Sequence, residues 1–430
     1  MSTTNSKTIS LLGGTIEIKK EEVAAVTWSF LYFFFVLSAY YMLRSVREML
    51  AVQGGVQNIP WLFTGTFFIM LMATPAFGWV ASRFPRKTFV PWVYYFFALN
   101  ILLFFVGFAY ARANQLSFLW LGRGFFVWLS VFNLFVVSIF WSFMADIYDK
   151  EQGRRLFGFI TAGGSTGALF GPLLTESLVV HIGFQNLLPI SAFLLLLSVV
   201  CVYRLRRWVR VSYSDNENTV ETNKALGGTA WAGLRLVIQK PYFRAVMIVF
   251  LCANFLGGAM YMSVAQVVGE TIANIDERTQ FFARLDFWTS ILALLGQSLL
   301  VRNSVRKFGI GWTLAILPLM SVVGFVLVAI NPIFITLVVF NVVRRGVTFG
   351  LTKPTTDMLY SVVTSEEKYK AKNFIETTVY RGSDLVATWS IRALSGIGIS
   401  GVAWLCVPIG LLWTWLVLWI GKEYKRLDTS

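Results

Sequence analysis

Long apolar segments recur from one end of the sequence to the other, separated by short polar gaps. Each segment holds about 20 mainly apolar residues, the length of α-helix that crosses a hydrocarbon core of roughly 30 Å. The predicted fold class is therefore an all-α membrane protein. The pattern predicts twelve membrane-spanning helices, at residues 24–50, 60–82, 88–112, 117–147, 155–179, 184–206, 241–268, 281–302, 310–330, 332–359, 371–394 and 399–421.

The longest polar connection follows the sixth predicted span and contains VRVSYSDNENTVETNKALGG. It divides the chain into an N-terminal six-helix half (1–207), a cytoplasmic linker (208–240) and a C-terminal six-helix half (241–430). Short basic turns occupy equivalent places in the two halves and read GWVASRFPRKTF and GQSLLVRNSVRKFG. Paired halves of this kind indicate an internal repeat, which is typical of secondary transporters.

Basic residues give the chain a formal net charge of +15, but they cluster in alternate gaps and at the termini. Cytoplasmic loops of membrane proteins carry such an excess of Lys and Arg. The pattern predicts a protein of the cell (inner) membrane with both termini cytoplasmic, and it argues against a nucleic-acid partner. Residues 1–22 lack the apolar core of a cleaved signal peptide, so the first span is predicted to direct insertion.

The composition offers little material for catalysis or metal binding. His181 is the single histidine, and Cys201, Cys252 and Cys406 lie in apolar sequence without CxxC spacing. The sequence has no Walker A motif, which argues against direct ATP hydrolysis as an energy source. We therefore expect no metal site, no cofactor and no enzymatic activity.

Charged side chains inside the predicted spans are the main functional signal, because each costs roughly 2.5–3.5 kcal/mol at the centre of a membrane helix. In the first span, Tyr40, Arg44 and Arg47 share one helical face. Glu48 lies four residues from Arg44, the spacing of a helical ion pair. Two interpretations remain open: the arginines line the outer half of a central cavity, or they anchor the helix at the membrane interface.

Span ten carries two arginines near its middle. Arg345 shares a stripe with Asn341 and a row of threonines, whereas Arg344 points roughly 100° away. Arg345 is therefore the predicted cavity residue. Lys353 lies two turns further along, near the stripe, and Pro354 is predicted to break the helix there.

Span eleven has one polar face, which includes Glu376, Tyr380, Arg381 and Asp384. One interpretation is an intramembrane ion pair between Arg381 and a carboxylate that holds the bundle together. The other is that the carboxylates orient Arg381 toward an anionic substrate or carry a coupling proton. In span eight, Asp286 and its neighbour Arg284 are expected at the membrane interface.

The embedded charges of spans one, ten and eleven together predict a site for a multiply charged anion. Arginine suits such a site because its planar guanidinium makes bidentate contacts with phosphate or carboxylate. The predicted substrate-binding residues are Tyr40, Arg44, Arg47, Arg345, Lys353, Tyr380 and Arg381. The predicted proton-coupling or ion-pair residues are Glu48, Glu376 and Asp384.

The turn between spans two and three reads GWVASRFPRK, with Ser82 preceding the first arginine. Its motif residues are Gly78, Arg83, Arg86 and Lys87. They resemble the G-x-x-x-D-R-x-x-R-K signature of the major facilitator superfamily, with Ser82 where an Asp is usual. The resemblance implies the twelve-helix fold of that superfamily and a role for the turn in conformational change.

Span five contains GGSTGALFGP, in which small residues recur about every four positions. The residues concerned are Gly163, Gly167, Gly171 and Pro172. Small residues at this spacing permit two membrane helices to approach closely. The segment also resembles the glycine-rich signature of antiporters of the same superfamily, which implies exchange.

Within the superfamily, the chain resembles the nucleotide transporter family of ATP/ADP translocases, and in particular its shorter relatives in free-living bacteria. YYMLRSVREMLAV resembles the family segment L-R-x-x-K-D, with Arg47 at the Lys position and Glu48 at the Asp position. DKEQGRRLFG resembles E-A-K-R-F-Y, with Gln152 at the acidic position. TKPTTDMLY and KYKAKNFIETTVYRGSD resemble segments of spans ten and eleven.

The resemblance and the embedded arginines imply a secondary active transporter that moves a small organic anion by alternating access. We expect it to be a monomer surrounded by membrane lipid. The anion is nucleotide-like or another phosphorylated or carboxylated solute, with a proton or counter-substrate completing the cycle. A second hypothesis keeps the fold but assigns a siderophore, a peptide or a peptidoglycan fragment as the solute. A third is a membrane enzyme or sensor that transports nothing, and the presence of only one histidine argues against it.

Overall fold

A computed structural model describes residues 7–11, 14–19, 21–83, 86–212, 230–364, 367, 371–372 and 374–428. Most of these residues are helical. Within the described ranges, ten helical stretches are long and apolar enough to cross a membrane. The chain is a multi-pass membrane protein.

Two short strands precede the first long helix. Strands β1 (Lys7–Leu11) and β2 (Gly14–Ile18) pair antiparallel, with Lys7 opposite Ile18. The apolar pattern does not predict them, because they lie outside the spans, but the alternating Thr and Ile residues favour extended structure. The hairpin leaves the fold class unchanged.

The chain packs into two compact units. Unit 1 consists of Met1–Gln53, Ile69–Thr222 and Ala273–Phe287. Its helices are α1 (Val23–Gln53), the larger part of α2 (Ile59–Arg83), α3 (Arg86–Ala113), α4 (Leu119–Ile147), α5 (Lys150–Ile182), α6 (Leu187–Ser212) and the first part of α9 (Ile275–Leu295).

Unit 2 consists of Gly54–Phe68, Asn223–Ile272 and Trp288–Ser430. Besides its parts of α2 and α9, its helices are α7 (Ala230–Gln239), α8 (Pro241–Thr271), α10 (Val301–Ile330), α11 (Phe334–Val347), α12 (Lys353–Met358), α13 (Tyr380–Ala393) and α14 (Gly398–Asp428). The units depart from the predicted halves at residues 54–68 and 273–287. The division at residues 208–240 stays a prediction, and part of that linker lies outside the described residues.

The predicted count of twelve spans also stays a prediction. One of the ten stretches, Ile275–Ile330, has 56 residues. At 1.5 Å per residue a straight helix of that length would measure about 84 Å, far more than one crossing needs. The stretch contains the predicted spans 281–302 and 310–330, and Gly309 between them has a φ of 77°, which bends the helix. The charged span predicted at 371–394 is not among the ten.

Helix α5 approaches α1 closely along its row of glycines. A Cβ atom added at Gly171 would lie 2.6 Å from the carbonyl oxygen of Ser38. Cβ atoms at Gly163 and Gly167 would also collide with α1 carbonyl oxygens, those of Phe30 and Phe34. The close approach predicted from the four-residue spacing is present, and Pro172 follows it within α5.

The start of α5 is fixed by a polar cluster around Glu22. Asp149 and Gln152 form a capping box, in which the side chain of each accepts a hydrogen bond from the backbone N–H of the other. The Glu22 carboxylate accepts hydrogen bonds from Arg155 at 2.9 and 3.2 Å, from Gln152 Nε2 at 3.1 Å and from the backbone N–H of Lys19 at 3.1 Å. Burial acts to raise the pKa of Glu22, but the Arg155 contact and the other donors outweigh it and lower the pKa.

Candidate functional site

The predicted arginines of α1 lie beside carboxylates in unit 1. Arg44 Nε is 3.6 Å from Asp286 Oδ2 of α9, and Asp286 is only 3% exposed. The Arg44 guanidinium also lies 5.5 Å from the centre of the Tyr41 ring. Asp286 was expected at the membrane interface, which stays a prediction. In the structure it is buried inside unit 1, where Arg44 of a helix distant in sequence balances its charge.

Arg47 forms the second charged pair of α1. Its Nε donates to Glu48 Oε1 at 3.2 Å, and its guanidinium lies 4.8 Å from the centre of the Phe126 ring. Glu48 is 6% exposed, so the pair is shielded from solvent on its acidic side. Tyr40 is half-buried on the same helix, with its ring 5.2 Å from that of Tyr41. The structure thus brings the four residues predicted in span one into one charged and aromatic region.

The first part of α9 is attached to unit 1 by further polar contacts. Arg278 Nη1 donates to Gln53 Oε1 at 2.8 Å, at the end of α1. Arg284 Nε donates to Glu176 Oε1 of α5 at 2.7 Å. Asp276 Oδ1 accepts from the backbone N–H of Phe184 at 2.7 Å. These contacts fix α9 where its carboxylate Asp286 meets Arg44.

The predicted lysine of span ten lies in a second charged cluster, in unit 2. Lys353 Nζ is 2.7 Å from Glu376 Oε1 and 3.5 Å from Asp357 Oδ1. Lys372 Nζ lies 2.7 Å from the same Asp357 oxygen. Two lysines and two carboxylates therefore share one region, and Lys353 and Asp357 line a cavity of about 420 Å³ together with Phe349 and other residues.

Unit 2 contains three described π-helical segments, at Gly296–Leu300, Thr348–Thr352 and Ile375–Val379. The second directly precedes Lys353, and the third contains Glu376. The prediction that Pro354 breaks the helix was wrong, because the helix continues through it to Met358. The first two π-helical segments meet at glycines, since a Cβ atom on Gly296 would lie 3.0 Å from the Cα atom of Gly350. Single π-helical turns inside α-helices are often found at functional sites.

The two arginines of α11 differ in their surroundings. Arg344 is 7% exposed and its Nη2 donates to the Ala253 carbonyl oxygen of α8 at 3.1 Å. Gly257 gives it room, because a Cβ atom there would lie 3.1 Å from the same nitrogen. Arg345, the predicted cavity residue, is half-buried. Sequence reasoning missed the burial of Arg344 against α8, although its predicted direction away from Arg345 agrees with it.

Helix α13 carries the remaining predicted residues. Arg381 Nη1 lies 4.0 Å from Asp384 Oδ2, and the guanidinium is 5.6 Å from the centre of the Tyr380 ring. Asn254 Nδ2 of α8 donates to Ser383 Oγ of α13 at 2.9 Å. This hydrogen bond holds α13 against α8 on the side of the helix opposite Arg381. Of the two carboxylates predicted to pair with Arg381, Asp384 lies beside it, whereas Glu376 lies beside Lys353.

The sequence did not single out Asp357, and the pairing of Asp286 with Arg44 was not predicted. Asp357 follows Lys353 by four residues, the spacing of a helical ion pair, and that signal was available. Asp286 has its partner in α1, more than two hundred positions away, and no local spacing announces it. Among the described residues, no group of three or more His, Cys, Asp or Glu side chains is arranged to hold a metal ion.

The turn that carries the G-x-x-x-D-R-x-x-R-K resemblance connects α2 and α3. Helix α2 ends at Arg83, which is exposed, and α3 begins at Arg86. The side chains of Arg86 and Lys87 and the surroundings of Gly78 lie outside the described part of the chain. The predicted role of this turn therefore stays a prediction.

Comparison with curated proteins finds two carriers at low identity. The chain is 22% identical to "ADP,ATP carrier protein 2" of Chlamydia pneumoniae, over 95% of this chain and 90% of the carrier. It is 19% identical to "ADP,ATP carrier protein 1" of Chlamydia muridarum, over 85% of this chain and 80% of the carrier. These matches agree with the resemblance to nucleotide translocases.

Solved structures of transporters share the fold. A bacterial homologue of the iron transporter ferroportin, in an inward-facing state, matches with a TM-score of 0.65 and 12% identity, over 92% of this chain and 98% of that one. The POT family transporter PepTSo matches with a TM-score of 0.62 and 13% identity, over 94% and 98%. The model of the Major Facilitator Superfamily matches residues 23–381. The chain therefore belongs to the Major Facilitator Superfamily.

Proposed function

We propose that the protein is a secondary active transporter of an organic anion, of the nucleotide-like or otherwise phosphorylated class. The observation that carries the proposal is the pair of arginines on α1, Arg44 and Arg47, each held beside a buried carboxylate. Buried cations inside membrane helices are costly and mark substrate or ion pathways. The names of the carrier relatives support a nucleotide as the first substrate to test.

The chemistry of the site suits an anion that exchanges places with protein carboxylates. Arg44 lies near Asp286 and Arg47 near Glu48. An incoming phosphate offers each guanidinium a bidentate partner of higher charge, so it competes with these carboxylates for the arginines. A carboxylate that loses its arginine becomes easier to protonate, because the nearby positive charge had favoured its ionised form.

The same exchange applies to unit 2. Lys353 lies between Glu376 and Asp357, and Arg381 near Asp384. Displacement of Glu376 or Asp384 by substrate makes either carboxylate available to carry a coupling proton.

We place the protein in the inner membrane as a monomer with both termini in the cytoplasm, and assign it antiport of substrate against a counter-substrate or proton by alternating access.

The test is uptake by purified protein in liposomes. Labelled nucleotides are screened against other organic anions, siderophores and peptides, with and without a pH gradient or internal counter-substrate. We expect saturable uptake of a phosphorylated anion by the wild type. Arg345→Ala and Arg381→Ala are expected to abolish it while leaving insertion intact, whereas Arg207→Gln, which changes an exposed arginine of α6, leaves it unchanged.

The proposal fails if no anion accumulates and no phosphorylated solute raises the thermal unfolding temperature of the purified protein. Uptake of a peptide or siderophore in the same screen, with nucleotides excluded, would reassign the substrate and keep the transport mechanism. Normal uptake by both arginine variants would mean that Arg345 and Arg381 are structural.

A further inference from the structure

Unit 1 contains a large apolar groove that is separate from the arginine pairs of α1. It has a volume of about 1100 Å³ and is lined by side chains of α2, α3 and α4. This exceeds the roughly 300–1,000 Å³ of pockets for ordinary small ligands. Among its described lining residues, Arg123 is the one charged side chain.

Part of the lining faces outward from unit 1. Trp92 is 69% exposed and Trp120 is 76% exposed. Exposed aromatic side chains on a membrane-spanning helix face lipid, and tryptophan is favoured at the level of the headgroups. From Arg123 to Phe135 the groove follows α4 for twelve residues, a distance of about 18 Å. A lipid chain lies naturally along such a surface.

Arg123 gives one end of the groove a specific chemistry. Its guanidinium lies 4.5 Å from the centre of the Trp120 ring, in the second turn of α4. Within the part of the chain that the structure describes, it has no carboxylate at salt-bridge distance. Arginine binds phosphate oxygens in a planar, bidentate manner, and the nearby N-terminal end of α4 also favours negative charge.

We infer that this groove is a binding site for an anionic phospholipid, with the headgroup phosphate on Arg123 and an acyl chain along Trp92, Phe96 and Phe135. The charge complementarity selects an anionic lipid over a zwitterionic one. A zwitterionic headgroup carries its own cationic group, which repels the Arg123 guanidinium and weakens the attraction between Arg123 and the lipid phosphate. The site is independent of the proposed transport site, since none of the predicted substrate residues lines it.

Lipid retention tests the inference directly. The protein is reconstituted in nanodiscs of equal phosphatidylglycerol and phosphatidylcholine, and the lipids that remain bound on mild release are counted by native mass spectrometry. We expect the wild type to retain phosphatidylglycerol preferentially. Arg123→Gln should lower that preference about fivefold, the effect of one basic residue at an anionic membrane surface. Arg123→Lys should keep most of it.

Two further variants make the test specific. Arg204→Gln removes another arginine that lies over a tryptophan, Trp28, but outside the groove, and should leave retention unchanged. Gly124→Phe fills the groove, and its Cβ atom meets nothing within 4 Å, so the helix accommodates it. It should lower retention of both lipids. Equal retention of the two lipids by the wild type, or unchanged retention by Arg123→Gln and Gly124→Phe, overturns the inference.

Discussion

Arg44 and Asp286 lie 3.6 Å apart, Nε to Oδ2, although 241 positions separate them in the sequence. Asp286 is almost completely buried, and Arg44 is mostly so. Two charges removed from water in this way stabilise the protein only as a pair, because either one alone would be buried without a countercharge. Helix α1 and the first part of α9 therefore depend on each other within unit 1.

Asp286→Asn is expected to destabilise unit 1 by about 3 kcal/mol, since it leaves the Arg44 charge uncompensated. Thermal unfolding in detergent measures the loss. The double variant Arg44→Gln with Asp286→Asn should recover much of it, because the buried charge is gone. Additive losses in the double-mutant cycle would show that the two side chains do not interact.

Gly167→Ala is expected to cost about 1–3 kcal/mol, because the added Cβ collides with the backbone oxygen of Phe34, which no rotamer change moves away. Gly158→Ala is the matched control in the same helix, since its Cβ meets nothing within 4 Å. The control should be neutral or more stable by up to about 1 kcal/mol from helix propensity. Equal unfolding temperatures for the two variants would contradict the close approach of α5 to α1.

Glu22→Gln is expected to lower stability at pH 7 by about 1 kcal/mol, because Arg155 loses its anionic acceptor. The pKa of Glu22 is lowered in the folded protein, so its contribution is complete above the ordinary value of 4.5. It disappears as the pH falls through the folded pKa. Unfolding curves of wild type and variant should therefore converge in acid, and a difference that persists there would reject the assignment.

Glu376→Gln is expected to abolish the dependence of uptake on a pH gradient while exchange against internal substrate continues. Lys353 keeps Asp357 as a partner in this variant, so the cluster stays charged. Asp357→Asn is the matched control for Glu376→Gln, because it also removes one carboxylate beside Lys353 but leaves the proposed proton carrier Glu376 in place. If Glu376→Gln and the wild type respond equally to the gradient, the coupling proton is carried elsewhere.

The apolar pattern predicted the membrane class and the position of most helices, and the four-residue spacing of small residues predicted that α5 lies close to another helix. These features are local, because each depends on residues within one or two helical turns. The pairings of Asp286 with Arg44 and of Asp357 with Lys353 were not predicted, for different reasons. Asp286 is brought to Arg44 by packing between distant helices, and Asp357 was passed over despite its four-residue spacing from Lys353.

Helical projection also fails across the π-helical segments. A helical projection assumes about 100° per residue. A π-helical turn holds about one residue more than an α-helical turn, so the residues after it are rotated by about 100° from their projected positions. Segments Thr348–Thr352 and Ile375–Val379 lie within the predicted polar stripes of spans ten and eleven. The faces of Lys353 and Arg381 therefore depend on the backbone rather than on the sequence spacing.

The seam of glycines between α5 and α1 has a mechanical consequence. Backbone carbonyl oxygens of Phe30, Phe34 and Ser38 occupy the space that side chains would fill, so the two helices lock without a compressible layer between them. We therefore expect a displacement of α5 to move α1 with it. Arg44 and Arg47 of α1 would then change position together with α5, as parts of one rigid pair of helices.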